Sequence, residues 1–317
     1  MAAGHERAAK VELRQLRYLV AVVDAGNLTV ASAKVNVSQP ALSRSIKNLE
    51  STLGARLLER RARGVVPTAA GCLFVAEARF ILNECSRAEA EIASFDQGAG
   101  RKVAVGVMPM FISSIAADAL ADVHAAAPSL ELMVMEDGYD GMIDQLTDGR
   151  LDVMLSTFTK SELPKSLVAE RLCAVTAVVA AGADTPLARK RKLKAADFAH
   201  AKWVVIGKGW DANVIDQYMM ANGLPPPVRP LHTNSVPLAK ILIAEKGYVS
   251  MLPVHMLARE IARGEIVALP MPAGAFRRAA GLIYRARDKP RRGVAVVIEN
   301  FRTACRQFSH RYSKLTA

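Results

Sequence analysis

The sequence has little of what membrane-bound, secreted or disulfide-stabilised proteins need. No apolar run approaches the ~20 residues required to cross a bilayer, and the first ten residues are polar and charged, without the apolar segment of a secretory signal. The four cysteines (Cys72, Cys85, Cys173 and Cys305) are widely separated, so their spacing indicates neither a zinc site nor a disulfide framework. We therefore expect a protein of the cytoplasm without membrane association.

The residue patterns of common catalytic centres are also missing. The sequence contains no GxSxG, HExxH, phosphate-binding loop or paired-carboxylate spacing. Its six histidines are isolated, so we expect no metal and no cofactor. Gly207-Lys208-Gly209 resembles half of a dinucleotide loop, but the third glycine is absent. We expect no enzymatic activity; the alternatives from other classes are an enzyme with a regulatory N-terminal module and a solute-binding protein.

Positive charge is concentrated near the N-terminus. The 317 residues carry a net charge of +12, and 51% of them are hydrophobic, which is enough for two or three domains. Residues 1–67 contain eleven Lys and Arg against five Asp and Glu, so about half of the excess charge lies in the first fifth of the chain. This bias favours a polyanionic partner. A second basic run, RKRKLK at 189–194, is typical of a solvated loop or helix face, with a second nucleic-acid patch as the alternative.

Three short helices are predicted over residues 13–25, 29–35 and 38–53. The first and third show an apolar face at helical spacing, and the small residues Ala31, Ser32 and Ala33 of the second permit close packing. Gly26 ends the first helix, and Gly54 ends the third. Ser38 is a favourable N-cap of the third helix, and Pro40 lies in its first turn, where a missing N–H costs nothing.

The third helix has the residue distribution of a recognition helix. Its stripe of Leu42, Ile46 and Leu49 is expected to face the other two helices. Side chains that hydrogen-bond near the N-terminus of such a helix reach base edges, and basic ones contact phosphates. The stretch LLERRARGVVP is predicted to form a hairpin, or wing, with clustered arginines. A small helical domain with a solvated polar face is the structural alternative.

These residues carry a resemblance to a known family. The stretch GNLTVASAKVNVSQPALSRSIKNLESTLGARLLERRARGVVPTAAG closely resembles the N-terminal signature of the LysR-type transcriptional regulators. The resemblance implies an all-α winged helix-turn-helix that binds double-stranded DNA. By resemblance the residues that meet the major groove are Ser38, Gln39, Pro40, Ser43 and Arg44. Those that hold phosphates are Lys47, Arg60, Arg61 and Arg63.

Three positions depart from the family pattern. Val30 stands where the family usually has a basic residue, so one contact with the DNA backbone is in question. Ser32 replaces the second of two alanines, and Leu58 replaces a common phenylalanine. The substitutions at Ser32 and Leu58 are expected to change only how these side chains pack.

A single long helix is predicted from Thr68 to about Gln97. Its apolar positions repeat with a period of 3.5, which is typical of a helix that pairs with another helix. The family resemblance implies a linker helix that dimerises antiparallel with its twin. Cys85 is expected as a small buried residue of this seam, with a redox-sensing thiol as the alternative. The predicted seam consists of Phe74, Ala78, Ile81, Cys85, Ala88, Ile92 and Phe95.

The remaining residues alternate short apolar strands with helices. Strands are predicted at 103–108, 130–136, 151–156, 175–181, 202–207, 227–232, 248–252 and 281–286. Such alternation indicates an α/β fold with a mostly parallel sheet. Two lobes joined by two crossovers would resemble periplasmic solute-binding proteins and the effector domain of LysR-type regulators.

We therefore predict a multidomain chain with three parts. The winged helix-turn-helix occupies 1–68, the linker helix 69–97 and the two-lobed effector domain 98–317. Lobe 1 is predicted over about 101–176 and 280–317, and lobe 2 over about 177–279.

The predicted ligand site lies between the lobes. Ligands of open parallel sheets bind beyond the carboxyl ends of the strands, often at helix N-termini. The family resemblance implies a small effector, commonly an organic acid. Serine hydroxyls at helix N-termini suit a carboxylate, and Met, Tyr and Phe suit an apolar body. The candidates are Met108, Pro109, Met110, Ser113, Tyr139, Phe158, Ile206, Gly207, Asn234 and Ser235.

The expected function is that of a ligand-responsive bacterial transcription regulator. Its partners would be a partly palindromic operator of double-stranded DNA, a small-molecule effector and further copies of the chain. By resemblance the oligomer is a homotetramer built as a dimer of dimers. Contact with RNA polymerase is a further expectation.

Overall fold

The computed structural model describes residues 11–61, 64–93, 102–158, 163–198, 201–206, 210–228, 230–271, 276–286 and 290–312. The chain divides into two compact units: residues 1–99 with 144–151, and residues 100–143 with 152–317. Three predicted site residues, Arg63, Phe95 and Gly207, lie outside the described ranges, as does most of the joint predicted after the linker helix. No helix within these ranges is both long enough and apolar enough to span a membrane.

The first unit begins with a three-helix module and a two-stranded wing. The wing strands are antiparallel, with Leu58 opposite Pro67 and Arg61 opposite Gly64. The three predicted helices and the hairpin are confirmed, and the linker helix begins directly after the wing. The elements are α1 (Leu13–Ala25), α2 (Leu28–Lys34), α3 (Gln39–Leu53), β1 (Leu58–Arg61), β2 (Gly64–Pro67) and α4 (Ala69–Ala93).

Local capping explains where the short helices begin and end. The Asn27 side chain accepts hydrogen bonds from the first turn of α2, at 2.8 Å from the amide of Thr29. Gly26 and Gly54 follow α1 and α3 in the left-handed conformation, with φ of 61° and 65°. Asn36, in the turn between α2 and α3, also has a positive φ, of 54°. These residues define the turns that separate the three helices.

The second unit is built on one mixed sheet flanked by helices. Its strands run in the order β4-β3-β5-β11-β6-β9-β7-β8, and β10 pairs with β6. The strands are β3 (Lys102–Val107), β4 (Glu131–Glu136), β5 (Val153–Thr157), β6 (Leu167–Gly182), β7 (Lys202–Ile206), β8 (Leu231–Thr233), β9 (Tyr248–Pro253), β10 (Ile266–Ala268) and β11 (Phe276–Arg285). The helices are α5 (Ala117–Ala126), α6 (Tyr139–Thr147), α7 (Ala195–Phe198), α8 (Trp210–Ala221), α9 (Val236–Lys246), α10 (Ala258–Ala262) and α11 (Arg292–Tyr312).

Two long strands, β6 and β11, join the lobes. Strand β11 pairs with β5 of lobe 1, and β6 pairs with β9 of lobe 2, while the two strands pair with each other over ten positions. The ladder contains a bulge, because Cys173 faces Ala280 whereas Arg171 faces Gly281, which leaves Leu172 as the extra residue. An alanine Cβ at Gly281 would lie 2.0 Å from the Glu170 carbonyl oxygen, so the bulge requires glycine there.

The two crossover strands are longer than predicted. The expected spans 175–181 and 281–286 cover only part of β6 and β11, because charged residues interrupt the apolar alternation in their other parts. Strand β10 and the short helices α7 and α10 were not predicted. The strand expected at 227–232 is replaced by a strand at Leu231–Thr233, since Pro227 and Pro230 cannot donate ladder hydrogen bonds.

Candidate DNA-binding surface and ligand cleft

Helix α3 separates its apolar and polar faces clearly. Leu42, Ile46 and Leu49 are at most 5% exposed and join the core of the three-helix module. Gln39, Arg44 and Lys47 are exposed on the opposite face, and Ser43 is half-buried. Among the described residues, none forms a hydrogen bond with the side chains of Gln39, Arg44 or Lys47. These three side chains are therefore available to an external partner.

The N-terminal end of α3 is exposed as well. Ser38 Oγ accepts a hydrogen bond from the Ala41 amide at 3.4 Å, which leaves the hydroxyl hydrogen able to donate elsewhere. Pro40 follows in the first turn and is also exposed. Val30, at the position where the family pattern has a basic residue, is 49% exposed on α2. Val30 therefore gives α2 exposed apolar surface where a positive charge was expected.

Partly buried hydrogen bonds fix the wing to the helices. Glu50 Oε1, near the end of α3, accepts hydrogen bonds from the amides of Leu57 at 2.8 Å and Leu58 at 3.1 Å. On the other side, the Val65 amide of β2 donates to the Gly26 carbonyl at 2.8 Å. No role was predicted for Glu50, although it lies within the quoted signature. It positions the wing relative to the recognition helix.

The wing presents exposed cations. Arg60 and Arg61 are both exposed, and Arg61 lies 3.4 Å from Glu59 in a solvent-exposed ion pair. Such a pair contributes little stability, so the guanidinium can exchange this partner for a phosphate.

The predicted seam of helix α4 has a buried part and an exposed part. Phe74 is half-buried against the core of the three-helix module, and Ala78 is fully buried. Further along, Ile81 is 41% exposed and Ile92 is 76% exposed, and Ala88 is exposed too. Cys85 is half-buried. The first third of the seam therefore packs within the chain, contrary to the expectation that all of it faces a partner, because α4 lies against α1 there.

The second unit contains an inner cavity between the lobes. Its volume is about 130 Å³, and its wall is mainly apolar. Met108, Pro109 and Met110 come from the end of β3, while Ile206 and Asn234 come from lobe 2. Val175, Ala177, Phe276 and Arg278 of the two crossover strands form its floor.

An outer cavity of about 700 Å³ adjoins the inner one. The two share Pro109, Gly138, Asn234 and Val236 in their walls. The outer wall is more polar: it includes Ser113 and the N-terminus of α9, where Ser235 Oγ caps the helix by accepting from the Leu238 amide at 3.3 Å. Acidic side chains and a lysine complete this wall; they are Glu136, Asp137 and Lys240.

Arg278 is the cation of the inner cavity wall. Its Nη2 donates a hydrogen bond to Thr157 Oγ1 at 2.7 Å, which holds the guanidinium against the cavity. Arg278 lies opposite Val175 in the β6–β11 ladder, so the two residues share a face of the sheet. Arg278 was not among the predicted site residues, because the strand predicted at 281–286 begins after it.

The structure does not bring every predicted site residue to the cleft. Tyr139 is only 8% exposed at the start of α6 and lines neither cavity. Phe158 follows β5, but its amide is bonded to the Ala279 carbonyl and its ring packs against the guanidinium of Arg171 at 5.9 Å. Its ring is thus used in a contact with strand β6.

A buried histidine connects the two lobes beside the cavity. His255 Nε2 lies 2.8 Å from the Met110 carbonyl oxygen and therefore carries the hydrogen. Its ring stacks on Phe111 and meets Phe308 edge-on at 4.9 Å. Burial lowers the pKa of His255 from its ordinary value, because the charged imidazolium is poorly solvated there. The neutral ring therefore holds the carbonyl group of Met110, a residue of the inner cavity wall, by a hydrogen bond.

Together, a winged helix-turn-helix, a long helix and a two-lobed α/β domain with an internal cleft define a DNA-binding regulator with a ligand-sensing domain. Residues 13–72 match the bacterial regulatory helix-turn-helix protein, lysR family, and residues 96–306 match the LysR substrate binding domain. The chain belongs to the LysR family of transcriptional regulators.

Individual proteins are similar to this chain in sequence or in fold over most of its length. The SDS degradation transcriptional activation protein of a Pseudomonas species is 30% identical over 281 residues, which cover 87% of this chain and 90% of that protein. ArgP from Mycobacterium tuberculosis has a similar fold, with a TM-score of 0.69 at 19% identity over 93% of this chain and 98% of that one. Full-length CbnR in complex with its target DNA gives a TM-score of 0.51 at 23% identity over 93% and 100%.

Proposed function

We propose that this regulator binds operator DNA through α3 and the wing, and that a small organic acid in the cleft between the lobes controls this binding. The observation that carries the DNA-binding part is the face of α3, where Gln39, Arg44 and Lys47 are exposed above a buried apolar stripe. Side chains at the start of such a helix reach base edges in the major groove. In this proposal Ser38, Gln39, Pro40, Ser43 and Arg44 contact bases.

Phosphate contacts come from basic residues around this helix. Lys47 lies one turn beyond the base-reading end of α3, and Arg60 and Arg61 lie on the wing that Glu50 fixes in place. Because each phosphate contact releases counterions, the affinity for DNA should fall steeply with salt concentration. Arg63 is proposed for the same role by its position in the sequence.

An organic acid fits the cleft on grounds of charge and polarity. Arg278 offers a cation to a carboxylate at the inner end, and Met108, Met251 and Phe276 offer apolar contact to the body of the ligand. The N-terminus of α9 at the outer cavity also favours an anion. We propose that the ligand's carboxylate pairs with Arg278.

Dimerisation through α4 completes the proposal. Ile81, Ala88 and Ile92 form an exposed part of the seam, and a paired helix would cover them. Pairing joins two recognition helices, which suits a partly palindromic operator. CbnR, which has a similar fold, has been solved in complex with its target DNA, and this supports the DNA-binding part of the proposal. Two such dimers would form the homotetramer, and contact with RNA polymerase is proposed for the promoter-bound form.

The DNA-binding part is tested by fluorescence anisotropy on operator fragments. We expect Arg44→Ala to weaken binding by about 1–3 kcal/mol at each half-site and to relax base preference there. Arg263→Ala is the matched control, since Arg263 is an exposed arginine of the second unit. Equal affinities for the two variants, or binding that is insensitive to salt, would contradict this part of the proposal.

The ligand part is tested by thermal denaturation with a panel of small organic acids. A ligand at one hundred times its Kd adds about 2.7 kcal/mol to the stability of the domain that binds it. Arg278→Gln should abolish this stabilisation, whereas Arg277→Gln, its exposed neighbour on the same strand, should retain it. If an acid stabilises both variants equally, Arg278 is not its counter-ion.

A further inference from the structure

Two of the four cysteines are neighbours in the second unit. Cys173 is on β6 and Cys305 is on α11, and the two thiols are close enough that each shifts the pKa of the other. Both are free thiols. The other two cysteines, Cys72 and Cys85, belong to α4 in the first unit. The fold therefore creates a thiol pair that the sequence spacing does not reveal.

The bulge in β6 explains why this pair forms. Glu170 and Cys173 are an odd number of residues apart and would face opposite sides of a regular strand. The extra residue, Leu172, restores both to the face that carries α11, as their ladder partners Leu282 and Ala280 show by their even spacing. Glu170 and Cys173 of β6 therefore both lie on the face of the sheet that packs against α11.

An ion pair holds the helix in register beside the thiols. Arg302 Nε and Nη2 donate to the two carboxylate oxygens of Glu170 at 2.7 and 2.9 Å. Cys305 lies three residues after Arg302 and therefore on the same side of α11. Since this bidentate pair fixes both the position and the rotation of the helix, it holds Cys305 beside the face of β6 that carries Cys173.

The two thiols differ in the way a reactive pair requires. Cys173 is half-buried and so reachable from solvent, whereas Cys305 is fully buried. The hydrogen bond from Cys305 lowers the pKa of Cys173, while this bond and burial raise the pKa of Cys305. The accessible thiol is thus the better thiolate, and the neighbouring buried thiol can resolve its oxidised form.

We propose that Cys173 and Cys305 are a modification site at which a hydroperoxide forms a reversible disulfide within the chain. The Cys173 thiolate attacks the terminal peroxide oxygen; the O–O bond breaks, the sulfur becomes a sulfenic acid, and the leaving oxygen takes up a proton as water or an alcohol. The Cys305 sulfur, on losing its proton, then displaces hydroxide from the sulfenic acid, which leaves as water. The two sulfurs lose two electrons in total, and the peroxide gains them.

This modification would act close to the ligand. Cys173 lies two residues before Val175, which lines the inner cavity opposite Arg278 in the ladder. A covalent bond between β6 and α11 would therefore restrict the strand that forms the cavity floor. The chemistry of the thiol pair itself does not depend on the identity of the ligand.

The experiment is peptide mapping of the full-length protein before and after hydrogen peroxide. Free thiols are blocked with one alkylating agent, disulfides are reduced, and the released thiols are blocked with a second agent of different mass. We expect peroxide to link the peptides of Cys173 and Cys305, with the protein still migrating as a monomer on a denaturing, non-reducing gel. The C72S/C85S double variant should give the same link.

Single variants separate the two roles. In Cys305→Ser, a sulfenic acid on Cys173 should persist and be trapped by dimedone, and in Cys173→Ser the Cys305 thiol should remain reduced. Three results would overturn the proposal: no linked peptide in the wild-type protein at peroxide levels that oxidise Cys72, a preferred link through Cys72 or Cys85, or conversion of Cys173 to sulfinic acid while Cys305 stays free. The wild-type mapping remains decisive if a variant fails to fold, and it needs neither operator DNA nor an organic acid.

Discussion

The exposed isoleucine near the end of α4 gives a sharp test of dimerisation. Ile92 is 76% exposed in the single chain, and the seam predicts that a second α4 covers it. Ile92→Ala removes three carbon atoms, each contributing about 0.8 kcal/mol when buried. Scaled by this exposure and counted for the two copies in a symmetric pair, the loss is about 3.5 kcal/mol. The dimer should then dissociate at roughly several-hundred-fold higher protein concentration.

The assay is sedimentation equilibrium or mass photometry over a dilution series. Leu73→Ala is the matched control: Leu73 lies on the same helix with the same 76% exposure, but outside the seam. We expect the control to dissociate at the wild-type concentration. If Leu73→Ala weakens the assembly and Ile92→Ala does not, the 3.5-residue repeat has identified the wrong face of α4. If neither does, α4 does not hold the dimer.

Two further predictions concern partly buried carboxylates. Glu50→Ala removes the acceptor of the Leu57 and Leu58 amides, so we expect the free energy of unfolding of the first unit to fall by about 2–3 kcal/mol. Hydrogen exchange at these two amides should accelerate. The control variant Glu59→Ala, which removes an exposed carboxylate, should leave their exchange unchanged. Hydrogen bonds from Arg302 lower the pKa of Glu170 from its ordinary 4.5, so its stabilising contribution is complete above pH 4.5 and is lost as the pH falls through the lower, folded-state value. The difference in melting temperature between wild type and Glu170→Gln should therefore be constant above about pH 5 and shrink in more acidic buffers; a difference that grows with acidity would refute this assignment.

The N-terminal module could be predicted almost residue by residue. Its helices are short and amphipathic, and each ends at a residue with a specific local role, such as Gly26, Ser38 or Gly54. Such signals act over three or four residues and need no knowledge of the tertiary structure. The role of Glu50 could not be predicted in this way, because its partners belong to the wing, seven and eight residues further along.

The second unit was predictable in class but not in detail. Alternation of strands and helices indicated its two-lobed α/β fold, and the predicted residues Met108 and Ile206, at the ends of β3 and β7, line the inner cavity. Arg278 was missed because β11 is antiparallel to its neighbours and begins with charged residues. The contact between Cys173 and Cys305 was missed for a similar reason: it depends on a bulge, and a bulge reverses the face assignment on one side of it.

The ladder between β6 and β11 has a mechanical consequence for signalling. A hinge made of two loops would let the lobes open widely at little cost. Here the connection is a continuous ribbon of ten residue pairs, and wide opening would break backbone hydrogen bonds that each contribute about 1 kcal/mol. Twisting deforms such a ribbon far less than opening it does. We therefore expect a ligand in the cleft to rotate one lobe against the other by a small angle. Ligand binding would then be transmitted from this domain as a twist and not as a wide opening of the cleft.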